Sequence, residues 1–248
     1  MQDITAVILA AGLGVRMGPR GKLMPKGLLQ VGGETLVERS VAALRDRGVG
    51  RIVIVTGHLH AQFEAIFAGT DIELVYNSHY ATTGSLLSLT VGLEVVTGPC
   101  LILESDLIYA PQVLDEVDGA SNRFLVSTPT GAGDEVYVWA AGAQGGPLHM
   151  VDISKDLRQR PESPLGEMIG VMSFTAEAAA RLRTVSAEVL ARDPEEHYEP
   201  GLVALCREEA IECRLLHDVP WAEIDDEDML ARAVRLVLPR VEAARRRR

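Results

Sequence analysis

Short apolar runs alternate with segments of helical period through the first hundred residues, and this alternation constrains the fold more than any other feature. Residues 5–10, 51–56, 72–76 and 99–104 are continuous, largely apolar runs of the kind expected for strands buried on both faces. Between them, residues 34–47 set Leu36, Val37, Val41 and Leu44 at helical spacing, with Gly48 to close the helix. Residues 61–68 predict a shorter helix, and residues 85–96 place Leu86, Leu89 and Leu93 on one face. A βαβαβαβ order gives a parallel sheet wrapped by helices. After Pro111 the rhythm changes. Residues 124–128, 135–141 and 148–153 read as strands, with a hairpin turn at 142–147. A strand at 167–174, helices at 176–191 and 198–209, a strand at 211–215 and a last helix at 226–241, perturbed by Pro239, complete the chain. There is no linker, repeat or low-complexity stretch. The expectation is an α/β, Rossmann-like, mostly parallel (mixed) sheet flanked by helices, one domain over residues 1–248 with halves at about 1–110 and 111–248.

A chain of 248 residues with 47% hydrophobic and only 4% aromatic residues must build its core from Leu, Val, Ile and Ala. The net charge of −11 argues against a protein held to nucleic acid by phosphate neutralisation. The run Arg245–Arg248 is the exception and reads as a solvated tail. Cys100, Cys206 and Cys213 have neither metal-ligand nor redox-motif spacing and read as buried thiols of a reducing compartment. Residues 4–15 are apolar enough for a secretory leader but lack a cationic start, because only Met1, Gln2 and Asp3 precede them. No stretch approaches a membrane span. A cytoplasmic protein is expected, and the sequence leaves a homodimer open.

The first strand runs into Leu9-Ala10-Ala11-Gly12-Leu13-Gly14-Val15-Arg16-Met17, followed by Pro25-Lys26. A glycine turn after a buried strand exposes backbone N–H groups to phosphate. Arg16 adds a forked cation and Lys26 a compact one. The dinucleotide fingerprint is excluded because Met17 stands where its third glycine would be. The P-loop is excluded because Arg16 and Leu23 occupy its glycine and Ser/Thr positions.

The whole string, with Gly27-Leu28-Leu29 and residues 31–39, resembles the signature of the sugar-phosphate nucleotidyltransferase superfamily, and the ten residues from Arg16 to Lys26 resemble its sugar-type branch. Molybdopterin nucleotidyltransferases start similarly but with a shorter gap. Residues 77–86, 104–109 and 221–225 extend the resemblance to the phosphonate and phosphocholine cytidylyltransferases, with segments 82–85 and 104–109 closer to the phosphonate enzymes. The resemblance implies a Mg²⁺-dependent enzyme that transfers CMP from CTP to a small phosphonate, such as 2-aminoethylphosphonate or 2-hydroxyethylphosphonate, and releases pyrophosphate. Residues 1–110 would then bind nucleotide and 111–248 the acceptor.

Asp106 follows the fourth strand, where ligands of open α/β sheets sit. Asp225 lies in the acidic run 223–228, whose other reading is a helix N-cap, favoured for Asp226, Glu227 and Asp228. The resemblance makes Asp106 and Asp225 the metal-binding acids, with Glu223 as a third candidate. It also implies that Lys26 stabilises the α-phosphoryl group, Arg16 holds the departing phosphates, and Leu9, Ala10, Ala11, Gly12, Thr83, Gly84 and Ser85 line the nucleotide pocket. Thr83 or Ser85 alternatively caps the helix that follows. For the acceptor, Lys155 is a candidate for the phosphonate, Glu167 for a substrate-contacting acid, and Tyr198 within Glu196-His197-Tyr198-Glu199 for a wall or the start of a helix. His58 and His60 read as structural. The alternatives are a phosphocholine-type or sugar-1-phosphate nucleotidyltransferase and, from another class, a nucleotide-binding regulator without chemistry.

Overall fold

The computed structural model describes residues 3–247. Strands β1 (Thr5–Ala10), β2 (Gln30–Val31) and β3 (Glu34–Thr35) lead into helix α1 (Leu36–Asp46). Then come β4 (Arg51–Thr56), α2 (His60–Phe67), β5 (Glu73–Tyr76), α3 (Ser85–Glu94), β6 (Cys100–Glu104) and β7 (Leu107–Tyr109). The second half holds β8 (Arg123–Ser127), β9 (Tyr137–Ala141), β10 (His149–Ser154), β11 (Gly166–Phe174), α4 (Ala176–Leu190), α5 (Glu199–Cys206), β12 (Glu212–Leu216) and β13 (Trp221–Glu223). It closes with α6 (Glu227–Arg232), a π turn (Ala233–Val237) and α7 (Leu238–Arg245). The π turn sits just ahead of Pro239, which has no backbone N–H to offer the helical ladder.

One sheet of nine strands runs β5-β4-β1-β6-β11-β8-β12-β10-β9. The sheet is mixed, as expected. Its β5-β4-β1-β6 portion is parallel. Strand β11 then enters antiparallel to β6 and joins the two halves edge to edge. Alternation along the strands divides the core. Ile8, Leu101, Leu103, Leu125, Ile169 and Val171 face α1 and α2, while Ile102, Phe124, Val126, Met172 and Phe174 face α3, α4 and α5. All nine residues of β11 are buried.

The local signals act as their chemistry requires. Thr35 and Glu38 form a reciprocal capping box on α1, and Gly48 at φ 74° closes it. The turn at 142–147 connects β9 to β10 as an antiparallel pair. Two features escape the sequence pattern. The hairpin β2–β3 and the ribbon β7–β13 use strands of two or three residues, too short for any period to show. The C-terminal run is also not wholly a tail: Arg245 lies in α7 and donates to Glu34 at 2.5 Å, whereas Arg248 lies outside the described residues. The cysteines are free thiols, with Cys100 and Cys213 buried. Among the described residues no helix is long and apolar enough to cross a membrane.

Candidate active site

A cleft of about 370 Å³ opens at the carboxyl ends of β1 and β6. Leu9, Ala10, Ala11, Gly12, Arg16, Lys26, Thr83, Gly84, Ser85, Asp106, Lys155, Tyr198, Glu223 and Asp225 all line it, so nearly every sequence-predicted site residue converges there. A second cavity of about 360 Å³ behind β7 is lined by Arg39, Tyr109 and Arg245, but those two arginines are already taken by Glu34 and Glu242. It lacks the convergent acids of the first.

The loop after β1 is shaped by its glycines. Gly14 adopts φ 62°, a left-handed conformation open to glycine at little cost, and the turn Val15–Met17 then carries Arg16 outward while Met17 buries. A Cβ on Gly12 would meet nothing within 4 Å, so the backbone there is open to a ligand. Pro25 starts the tight turn Lys26–Leu28, which sends the Lys26 ammonium into the acids.

The ribbon β7–β13 brings those acids together. Asp106 precedes β7, Glu223 ends β13, and the Ile224 N–H donates to the Asp106 carbonyl at 3.0 Å. Lys26 Nζ lies between the carboxylates of Asp106 and Asp225, 2.5 Å from Asp225 Oδ1. Arg16 Nη2 lies 2.9 Å from Asp225 Oδ2, an ion pair without the alignment of a hydrogen bond. Burial opposes the charge on Lys26, but Asp106 and Asp225 outweigh it and raise the ammonium pKa. Burial alone would raise Asp225; Lys26 and Arg16 hold it below its ordinary value instead.

Glu104, which is not among the acids the sequence points to, completes the group. One oxygen each from Glu104, Asp106 and Glu223 lie within 4.8 Å of one another. Burial, then Asp106, pushes Glu104 up to about 8; burial, then Glu104 and Asp106, raises Glu223 as well. Three carboxylates converging on one point, with Lys26 on the outer side of Asp106, are an all-oxygen donor set suited to a hard divalent ion such as Mg²⁺. Asp225, expected as a ligand, stands beside this set with Lys26 and Arg16 on its two oxygens. The clue to Glu104 was its place as the last residue of a buried parallel strand, two before Asp106. Its niche depends on Gly170. That residue has φ 77° at an irregularity in β11, and any Cβ there would overlap the Glu104 carboxylate.

Tyr198 is both wall and helix start: it stands at the N-cap position of α5 without a side-chain cap, its ring is buried in the cleft wall, and its hydroxyl donates to Glu104 Oε1 at 2.6 Å. Neither Thr83 nor Ser85 caps α3: Gly84 is the N-cap. Thr83 donates to the His79 carbonyl and Ser85 accepts from the Tyr198 N–H, because the segment 194–198 packs directly on Gly84. Asp226 does cap α6, accepting from the Met229 N–H at 2.7 Å. Glu167 is not on the cleft surface. Its carboxylate turns to Thr130, whose N–H it accepts at 2.6 Å, while its neighbour Met168 faces the cleft. His58 and His60 bond to the Gly21 carbonyl and to Thr56. Asp134, likewise not among the acids the sequence points to, accepts from both Arg16 and Lys155.

Residues 6–182 match the model of the MobA-like NTP transferase domain. A CMP-5'-(3-aminopropyl)phosphonate synthase of Streptomyces rubellomurinus is 33% identical over 50% of this chain and 20% of its own. A choline-phosphate cytidylyltransferase of Haemophilus influenzae is 35% identical over 50% of this chain and 52% of its own. A 2-aminoethylphosphonate cytidylyltransferase of Lancefieldella rimae is 36% identical over 45% of this chain and 46% of its own. These matches thus span from a fifth to about half of the curated relatives. Among solved structures, a CTP:phosphocholine cytidylyltransferase of Streptococcus pneumoniae superposes with a TM-score of 0.77 at 20% identity, covering 93% of this chain and 97% of that one. That likeness shows the shared fold.

Proposed function

The chain belongs to the MobA-like NTP transferase family, and we propose that it is a cytidylyltransferase that moves CMP from CTP to a small phosphonate and releases pyrophosphate. The observation that carries this reading is Lys26 Nζ held between Asp106 and Asp225 beside the Glu104–Asp106–Glu223 group. It supplies a cation for a phosphoryl group next to acids for a divalent ion, at the mouth of one cleft.

The expected chemistry is in-line displacement. An oxygen of the acceptor attacks the α-phosphorus, the new P–O bond forms, and the bond to the β-phosphate oxygen breaks with pyrophosphate as leaving group. A phosphonate oxygen is already anionic near neutral pH, so the reaction needs alignment and charge neutralisation more than a base. Lys26 neutralises the α-phosphoryl group as charge builds on it. Arg16 and the open backbone at Gly12 hold the departing phosphates. Thr83, Gly84 and Ser85 form the wall for base and ribose. Lys155 receives the acceptor's phosphonate. Glu104, Asp106 and Glu223, with Asp225 beside them, would hold Mg²⁺. The chemistry such an ion would supply there is neutralisation of phosphate charge.

The acceptor assignment is supported by the inner wall. Glu199, whose Oε2 is buried without a hydrogen-bond partner, lines the cleft beside Tyr198 and Glu104, an acidic end suited to a primary ammonium. The aromatic side chains on the lining are Tyr80, His197 and Tyr198, too few to cage a quaternary ammonium from all sides.

The test is pyrophosphate release with Mg²⁺, crossing CTP, UTP, GTP and ATP against 2-aminoethylphosphonate, 2-hydroxyethylphosphonate, phosphocholine and glucose-1-phosphate. Turnover with CTP and a phosphonate is expected. A preference for another nucleotide or a sugar phosphate would discard the reading. Lys26→Met should lower kcat/KM by about 10²–10³ while the fold persists by circular dichroism.

A further inference from the structure

Arg16 and Lys155 come from opposite halves of the chain, and one carboxylate, that of Asp134, binds both. Both cations are half exposed at the mouth of the cleft, and Asp134 is a quarter exposed between them. The other acids that engage the cleft cations, Asp106 and Asp225, are fixed next to β7 and β13. Asp134 instead sits on the connection between β8 and β9.

That connection is anchored at two points. At one, Glu167 accepts from the N–H and hydroxyl of Thr130, and Arg232 donates to the Thr130 carbonyl at 2.9 Å. At the other, the Met168 N–H donates to the buried Val136 carbonyl at 2.8 Å. Between the anchors stand Gly131 at φ 65° and Gly133 at φ 97°, each with open space where a Cβ would be. Glycines in left-handed conformations with no packing against them leave this arm free to reorient about fixed ends.

We propose that Asp134 is an internal stand-in for a substrate phosphoryl anion: the point where Arg16 and Lys155 converge is an anion subsite, and the arm at 131–135 gates it by withdrawing Asp134 when phosphate oxygens arrive. A carboxylate presents to a guanidinium and an ammonium the same anionic oxygens that a phosphoryl group does. The two cannot share the site, because their like charges repel. Binding therefore exchanges one anion for another, and Glu167 acts through Thr130 as the clamp on the arm's foot. The inference rests on the roles that the proposed function gives Arg16 and Lys155 in binding phosphorus oxyanions and not on the identity of the base or of the acceptor.

The test measures inorganic pyrophosphate binding by calorimetry in metal-free buffer, with the full chain and with Asp134→Asn. Each exposed ion pair accounts for up to about fivefold in affinity, so release of two cations should tighten pyrophosphate binding several-fold, up to about 25-fold. The gain should shrink when Asp134→Asn is made in a Lys155→Ala background, since one of the two competing contacts is already gone. Unchanged or weaker binding by Asp134→Asn would overturn the proposal, showing that Asp134 orients the cations instead of occupying them. An equal gain in both backgrounds would overturn the shared subsite. Should pyrophosphate binding behave as expected while CTP and phosphonates give no turnover, the gate stands and the acceptor reading falls.

Discussion

Glu104 is a partly buried carboxyl whose ionisation is opposed by desolvation and then by Asp106, while the Tyr198 hydroxyl donates a hydrogen bond to it. Its native pKa of about 8 lies above its ordinary value of 4.5, so the native state binds more protons than the unfolded state between those limits. The stability this contributes is fully present below about pH 4.5 and is lost as pH rises through 8. In metal-free buffer the melting temperature should therefore fall from pH 5 to pH 8 and level off beyond, and Glu104→Gln should flatten that slope. Parallel melting curves for the two proteins would sink the assignment. Glu104 was within reach of a sequence reading, since it ends a strand recognised as buried. Its role was hidden because an acid at a strand end is unremarkable until Glu223, over a hundred residues later, is known to face it.

Among the elements, the site depends on an irregularity in β11 and on the ribbon β7–β13. Strand β11 slips its register against β8 between Met168 and Met172, and Gly170 at φ 77° occupies the gap where Glu104 fits. Gly170→Ala should cost about 1–3 kcal/mol from the left-handed backbone alone and should also displace Glu104. The check is paired: denaturant unfolding for stability and Mn²⁺ binding for the acid group. Reduced stability with unaltered ion affinity would show that Glu104 accommodates the methyl without leaving its neighbours. The helices and longer strands were legible because their periods repeat over several residues. The ribbon was not, because three residues per strand carry no period, yet it is the element that sets Asp106 against the 223–225 segment.

The molecule is built on one nine-stranded sheet with a core on each face, and both of these cores draw residues from either side of Pro111. Strand β6 has β1 on one edge and β11 on the other, and β11 is buried throughout. A fragment ending at residue 110 would expose an edge of β6 and the apolar faces of α3 and the sheet. It is expected to show no cooperative thermal transition, while the full chain unfolds in a single step; a fragment with its own sharp transition would show the front half to be an independent unit.

The order of the longer strands and helices and the glycine loop with Arg16 and Lys26 are legible in the sequence alone, because each is set by local periodicity, backbone freedom or a contiguous motif, and the family resemblance adds the acids Asp106 and Asp225. The tertiary structure alone decided that Glu104 joins the acid group, that Tyr198 braces it, that Glu167 serves Thr130 and not the cleft, and that Asp134 ties Arg16 to Lys155. Each of these depends on contacts between residues distant in the chain, or on which face of a buried strand meets the cleft. No local pattern encodes them, since burial and Coulomb interactions act through space and not along the backbone.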